Sequence, residues 1–209
     1  MTTTSARAPR TLLFIGDSIT DAGRREDPEQ LGHGYVRLLA EHFAAHEPTA
    51  TVINRGISGD KVADLEARFG PDCLDLAPDL VTVYVGVNDS WHRFTRGEHV
   101  PDEAFEQGYR HLLDQLAARV PSAPVAMILP FVADIDEQAA QIHTDLDGKV
   151  AIIRRLAAEG GHRLVDLEEV LERALAAGHA PEHVAADGVH PTPAGHRLIA
   201  DAWLDAVGR

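Results

Sequence analysis

Three residues at opposite ends of this 209-residue chain have the types and spacing for acyl transfer through a hydroxyl: Ser18 in Gly16-Asp17-Ser18, and Asp187 and His190 in Asp187-Gly188-Val189-His190-Pro191. That chemistry needs a hydroxyl, a base to take its proton and a carboxylate to orient the base. It also needs N–H donors for the charge that develops on the carbonyl oxygen. Ser18 directly follows an apolar run and a glycine, so a tight strand-to-helix turn would project its hydroxyl and aim its own N–H into the same space. His190 stands three residues after Asp187, with a glycine between them and a proline after, so one short loop can hold imidazole and carboxylate on the same side. Three donors are expected for the oxyanion: the N–H of Ser18, the N–H of Gly56 and the side-chain amide of Asn88.

Each of these residues has a plainer reading. A lone Ser18 is an N-cap, since capping serines outnumber nucleophiles, and a lone His190 is a loop histidine. Asp17 and Asp21 read as partners of a helix dipole, with Asp17 also a candidate substrate contact. Trp91 is either a pocket wall or core, and Trp203 is core. Arg24, Arg25, Glu26 and Asp27 read as a solvated charge cluster. His179-Ala-Pro-Glu-His183 matches the inverted zinc-protease pattern H-x-x-E-H, but Pro181 in its middle denies it the continuous helix that both imidazoles need. Asn88-Asp89-Ser90 is an accidental sequon.

The elements that must position these groups alternate along the chain. Strands are expected at Thr11–Gly16, Ala50–Asn54, Leu80–Gly86, Val125–Pro130 and Arg163–Asp166, near-continuously apolar as in a parallel sheet covered on both faces. Amphipathic stretches at Tyr35–His46, Lys61–Phe69, Glu103–Arg119, Gln138–Glu159, Leu167–Ala177 and Ala194–Val207 read as the covering helices. The fold class is therefore α/β, a three-layer α/β/α sandwich with a five-stranded parallel sheet. In such sheets ligands bind beyond the carboxyl ends of the strands. Asp17-Ser18, Asn54-Arg55-Gly56 and Gly86-Val87-Asn88-Asp89 follow three of those ends. Trp91–Pro101 and Phe131–Glu137 are expected as loops that shape the pocket.

Composition sets the outer limits. Residues 1–10 read as a disordered polar lead and 11–209 as a single domain, with no internal repeat and no linker. A net charge of −14 argues against a nucleic-acid partner. The single cysteine, Cys73, excludes an intramolecular disulfide and reads as buried filler. No apolar run is long enough for a signal or a membrane span, so a cytoplasmic protein without a membrane partner is expected.

Taken together, Gly16-Asp17-Ser18-Ile19-Thr20, Gly56, Gly86-Val87-Asn88-Asp89 and Asp187-Gly188-Val189-His190-Pro191 resemble, in order and spacing, the four blocks of the SGNH (GDSL-type) hydrolases. The family's four residues fall on Ser18, Gly56, Asn88 and His190. Phe14–Arg24, Leu31–Val36, Asn54–Gly59 and Gly86–Trp91 narrow the resemblance to the bacterial acetylxylan esterase and carbohydrate acetylesterase branch. It implies a flavodoxin-like strand order 2-1-3-4-5, removal of O-acetyl groups from a sugar or oligosaccharide through an acyl-serine intermediate, and assembly into a homo-oligomer. It implies no metal and no organic cofactor. Ala185-Ala186 ahead of Asp187 stands where that branch carries an aromatic residue. The alternatives are a lysophospholipase, thioesterase or arylesterase of the same superfamily, or a non-catalytic carbohydrate-binding protein on the same fold.

Overall fold

A computed structural model describes residues 10–207; apart from Arg10, the expected polar lead lies outside the described residues. Five parallel strands form one sheet in the order β2-β1-β3-β4-β5, with β1 at Thr11–Gly16, β2 at Thr51–Gly56, β3 at Leu80–Tyr84, β4 at Val125–Ile128 and β5 at Arg163–Val165. This is the expected order. β1 lies between β2 and β3 because Leu12, Leu13, Phe14 and Ile15 are apolar on both faces, and all four are completely buried.

Nine helices are present among the described residues: α1 (Ser18–Asp21), α2 (Tyr35–His46), α3 (Val62–Asp72), α4 (Val87–Arg96), α5 (Asp102–Arg119), α6 (Glu137–Gly160), α7 (Leu167–Ala176), α8 (Pro181–Val184) and α9 (Pro193–Ala206). Helix α5 packs between α3 and α6, while α2 packs on α9 in a separate group. Trp203 of α9 is the core residue expected: its ring lies 5.4 Å from that of Phe14 and 5.9 Å from that of Phe43, and its indole N–H donates to Thr82 Oγ1 at 3.0 Å. Cys73 is buried, also as expected.

Two expectations about the strand ends change. β2 runs through Gly56, so Asn54, Arg55 and Gly56 belong to the strand rather than to a turn after it. β3 stops at Tyr84, and what read as the loop Trp91–Pro101 is helical through Arg96. The hidden helix, α4, buries polar residues: Asn88, Asp89, Ser90 and His92 all face inward, so it lacks the apolar stripe by which a covering helix is recognised.

The chain leaves β1 for β2 on one side and returns to β3 on the other. The crevice at the carboxyl ends of β1 and β3 is therefore the sheet's topological switch point. Ser18 follows β1 by two residues and Asn88 follows β3 by four.

Candidate active site

The turn after β1 answers why Ser18 is not a cap. Asp17 is the N-cap of α1, its Oδ1 accepting the Ile19 N–H at 3.0 Å. With that role filled one residue earlier, the Ser18 hydroxyl is free of the helix and lies 3.0 Å from His190 Nε2. Asp17 itself is completely buried, so the expected contact between Asp17 and substrate is overturned. Burial pushes its carboxyl up to about 7, against the opposing pull of the Ile19 N–H. Its Oδ2 has no hydrogen-bond partner among the described residues.

The second half of the site is a loop braced from several directions. Asp187 Oδ1 accepts the N–H groups of Val189 (3.0 Å) and His190 (2.7 Å), while Oδ2 lies 2.7 Å from His190 Nδ1. An ionised carboxylate only accepts, so Nδ1 carries the ring proton and the Nε2 lone pair faces the Ser18 hydroxyl. Partial burial pushes the Asp187 carboxyl up, but the hydrogen bond from the His190 ring and those from the two backbone N–H groups outweigh it, leaving the group below its usual range. Gly188 adopts φ +81°, and a Cβ there would sit 2.8 Å from the Ala133 carbonyl oxygen. Ala133 N–H also donates to Gly188 O at 2.7 Å. An antiparallel bridge pairs Ala185 with Pro191, and Thr192 Oγ1 donates to His183 O at 2.6 Å while capping α9. Trp91, on α4, packs its ring 5.2 Å from the His190 imidazole and is partly buried against the hydrophobic core.

The donors differ from expectation at one position. Gly56 N–H is already bonded to Asn54 Oδ1 at 2.8 Å, so it is not the free donor anticipated. Gly56 is glycine because a Cβ would come within 2.1 Å of the Asp21 backbone nitrogen on α1. Three residues on, Gly59 has φ +90°, open space beside its Cα and no N–H partner among the described residues. The Ser18 N–H is likewise unpartnered. Asn88 Nδ2 donates to Asp60 O at 3.0 Å, which holds the amide and leaves its second hydrogen for another acceptor. The sequence signal for Gly59 was Ser58-Gly59-Asp60, a turn beyond the strand, where Gly56 still belongs to the ladder.

Charged residues that read as surface groups hold this frame together. Arg24 is buried and its Nε donates to Gly56 O at 2.6 Å, and Asp27 is buried with Oδ2 accepting the N–H groups of Leu31 and Gly32, which overturns the solvated reading for these two, while Arg25 and Glu26 are exposed as expected. Asp21 accepts from Ser58 N at 3.1 Å, tying the 57–60 turn to α1. Arg68, which sequence reasoning missed, donates to Gly16 O, to Arg55 O and to Asp60 Oδ2, joining the ends of β1 and β2 to that turn. His179 lies ahead of helix α8, which begins only at Pro181, and its ring stacks on that of His183 at 4.6 Å.

Ser18, His190 and Asp187 are thus brought into one hydrogen-bonded series beside Trp91, with Asn88 on the same crevice. Asp17 lies beneath it and the Gly56 N–H outside it. Comparison with known proteins places the chain among esterases of known family. The GDSL-like lipase/acylhydrolase family matches residues 14–198. An acetylxylan esterase of Geobacillus stearothermophilus is 33% identical over 208 residues, covering 94% of this chain and 93% of that protein. Its crystal structure superposes with a TM-score of 0.86 at 32% identity over 98% of this chain and 96% of that one, and alanine variants of its serine, aspartate and histidine are described as catalytic mutants. An α/β hydrolase from the metagenome of Lake Arreo, Spain, gives 0.83 at 35% identity over 96% of both chains. The chain belongs to the GDSL-like lipase/acylhydrolase family and is a carboxylic ester hydrolase.

Proposed function

We infer that this chain removes O-acetyl groups from a carbohydrate through an acyl-serine intermediate. The observation that carries the reading is the unbroken series from Ser18 Oγ through the His190 ring to Asp187, at 3.0 and 2.7 Å. Ser18 attacks the ester carbonyl as its proton passes to His190 Nε2, and Asp187 stabilises the imidazolium so formed. The oxyanion is met by the N–H of Ser18, the free hydrogen of Asn88 Nδ2 and the N–H of Gly59, which takes the place first assigned to Gly56. Collapse of the tetrahedral intermediate returns the proton from His190 to the departing sugar oxygen. Water, deprotonated by the same nitrogen, then releases acetate and restores Ser18.

The acetyl group and the sugar are supported by likeness to the acetylxylan esterase over nearly the full length of both chains. A second reading, hydrolysis of aryl esters, has a narrower support: an arylesterase of Vibrio mimicus is 36% identical over 91 residues, 43% of this chain.

The decisive measurement is turnover of a small acetyl ester by Ser18→Ala, with retained circular dichroism as the folding control. A loss on the order of 10⁴-fold or more is expected, and undiminished turnover overturns the mechanism. Acetylated xylo-oligosaccharides assayed against aryl acetates and decanoyl esters decide the substrate. The acetyl sugar should give the highest kcat/KM, and a preference for decanoyl or aryl esters rejects it.

A further inference from the structure

Away from the crevice, helices α6 and α7 bring together a set of side chains that the hydrolytic site does not use. His143 and Asp147 stand one turn apart on α6, with His143 Nε2 3.7 Å from Asp147 Oδ1. Glu168, in the first turn of α7, completes a group in which one ligand atom from each residue lies within 4.8 Å of the others. The other ring nitrogen of His143, Nδ1, is 2.9 Å from Asp134 Oδ1. That contact puts the ring proton on Nδ1 and turns the Nε2 lone pair toward the two carboxylates, as outer carboxylates do for metal-bound histidines.

We propose that His143 Nε2, Asp147 and Glu168 bind one divalent first-row transition ion, with water filling the remaining positions and Asp134 orienting the imidazole from behind. One imidazole with two carboxylates suits Zn²⁺, Co²⁺ or Mn²⁺ rather than a softer ion. Two ligand atoms on a tetrahedral ion stand about 3.4 Å apart, so the 3.7 Å between His143 Nε2 and Asp147 Oδ1 needs only a small side-chain adjustment. Arg154 pairs with Asp166 and, at 2.9 Å, with one oxygen of Glu168, which leaves the other oxygen for the ion. Asp134, Asp147 and Glu168 place three carboxylates around one imidazole, a surplus of negative charge that a dication offsets.

The site would clamp α6 to α7 and, through Asp134, hold the segment whose preceding residue, Ala133, bonds to Gly188 of the catalytic loop. Its role is structural, and its readout is metal binding rather than hydrolysis, so it stands or falls separately from the acetylesterase reading.

The test is calorimetric titration of the chelator-stripped full chain with Zn²⁺, with Tm followed in parallel. One ion per chain and a Tm that rises with Zn²⁺ are expected. Both should vanish in His143→Ala and in Glu168→Gln, the latter chosen because it keeps shape and is expected to keep the fold. Asp134→Asn, which keeps all three ligands, should weaken binding roughly 10–100-fold. The stacked pairs His42–His46 and His179–His183 are the rival surface ligands, so His46→Ala and His183→Ala should leave the titration unchanged. Absence of binding to the parent chain overturns the proposal, as does binding that survives His143→Ala or is lost in His46→Ala or His183→Ala.

Discussion

The turn after β1 and the loop before α9 are built on the same local device. In each, an aspartate accepts the N–H of the residue two positions on at 3.0 Å: Asp17 from Ile19, Asp187 from Val189. Their surroundings drive the two carboxyls apart. Asp17 is completely buried with Asp89 and Asp60 as its charged neighbours, and burial above all pushes it up to about 7. Asp187 is about half exposed and faces His190, which brings it below its usual range despite partial desolvation. A short Asp motif therefore carries no function of its own. Depth and partner decide whether the carboxylate caps a helix or serves an imidazole.

That contrast can be broken at several points, and the largest effect is expected at Asp187. Asp187→Asn leaves an amide that can present N–H to the ring and favour the wrong tautomer, so kcat for a small acetyl ester should fall by about 10⁴-fold with the fold intact. A fall under tenfold would remove Asp187 from the mechanism. Gly188→Ala forces a Cβ toward the Ala133 oxygen at positive φ, and a loss of about 1–3 kcal/mol in denaturant-measured stability should accompany reduced turnover. Asp17→Ala removes the cap and should cost about 0.5–2 kcal/mol of stability.

The smallest change, Asp17→Asn, keeps the capping oxygen and removes only the titration. Because the folded-state value of Asp17 lies above its unfolded one, near 3.8, the unfolded chain releases the proton first. Asp17 thus subtracts stability progressively from about pH 4 to 7 and no further above that. Asp17→Asn should flatten that stretch of a Tm-against-pH curve. Part of the slope should remain, since burial pushes Asp89 up to about 7 as well. An unchanged curve would show that Asp17 is ionised in the fold.

The same contrast explains what could be read from sequence. Apolar runs marked all five strands, because strands covered on both faces leave a continuous signal, and Ser18, Asp187 and His190 stand in one hydrogen-bonded series. The misreadings gather where polar side chains go inward. Helix α4 was missed because its buried face is Asn88, Asp89, Ser90 and His92, and Arg24 read as solvated although its Nε grips Gly56 O. Gly56 looked like an oxyanion donor because a glycine lets the backbone approach a substrate closely, yet its N–H is held by Asn54 Oδ1, two residues away on the same strand. Burial and pairing of polar groups are tertiary facts, and no local periodicity encodes them.

Ser18 and His190 lie 172 residues apart in the chain and 3.0 Å apart in space. At ordinary ribosomal speeds the two are synthesised roughly 10–30 s apart. Throughout that interval the nascent polypeptide exposes a serine with no base to activate it. Hydrolysis thus switches on only when the last strand and the loop beyond it have docked, which makes the appearance of activity a built-in clock for completion of folding.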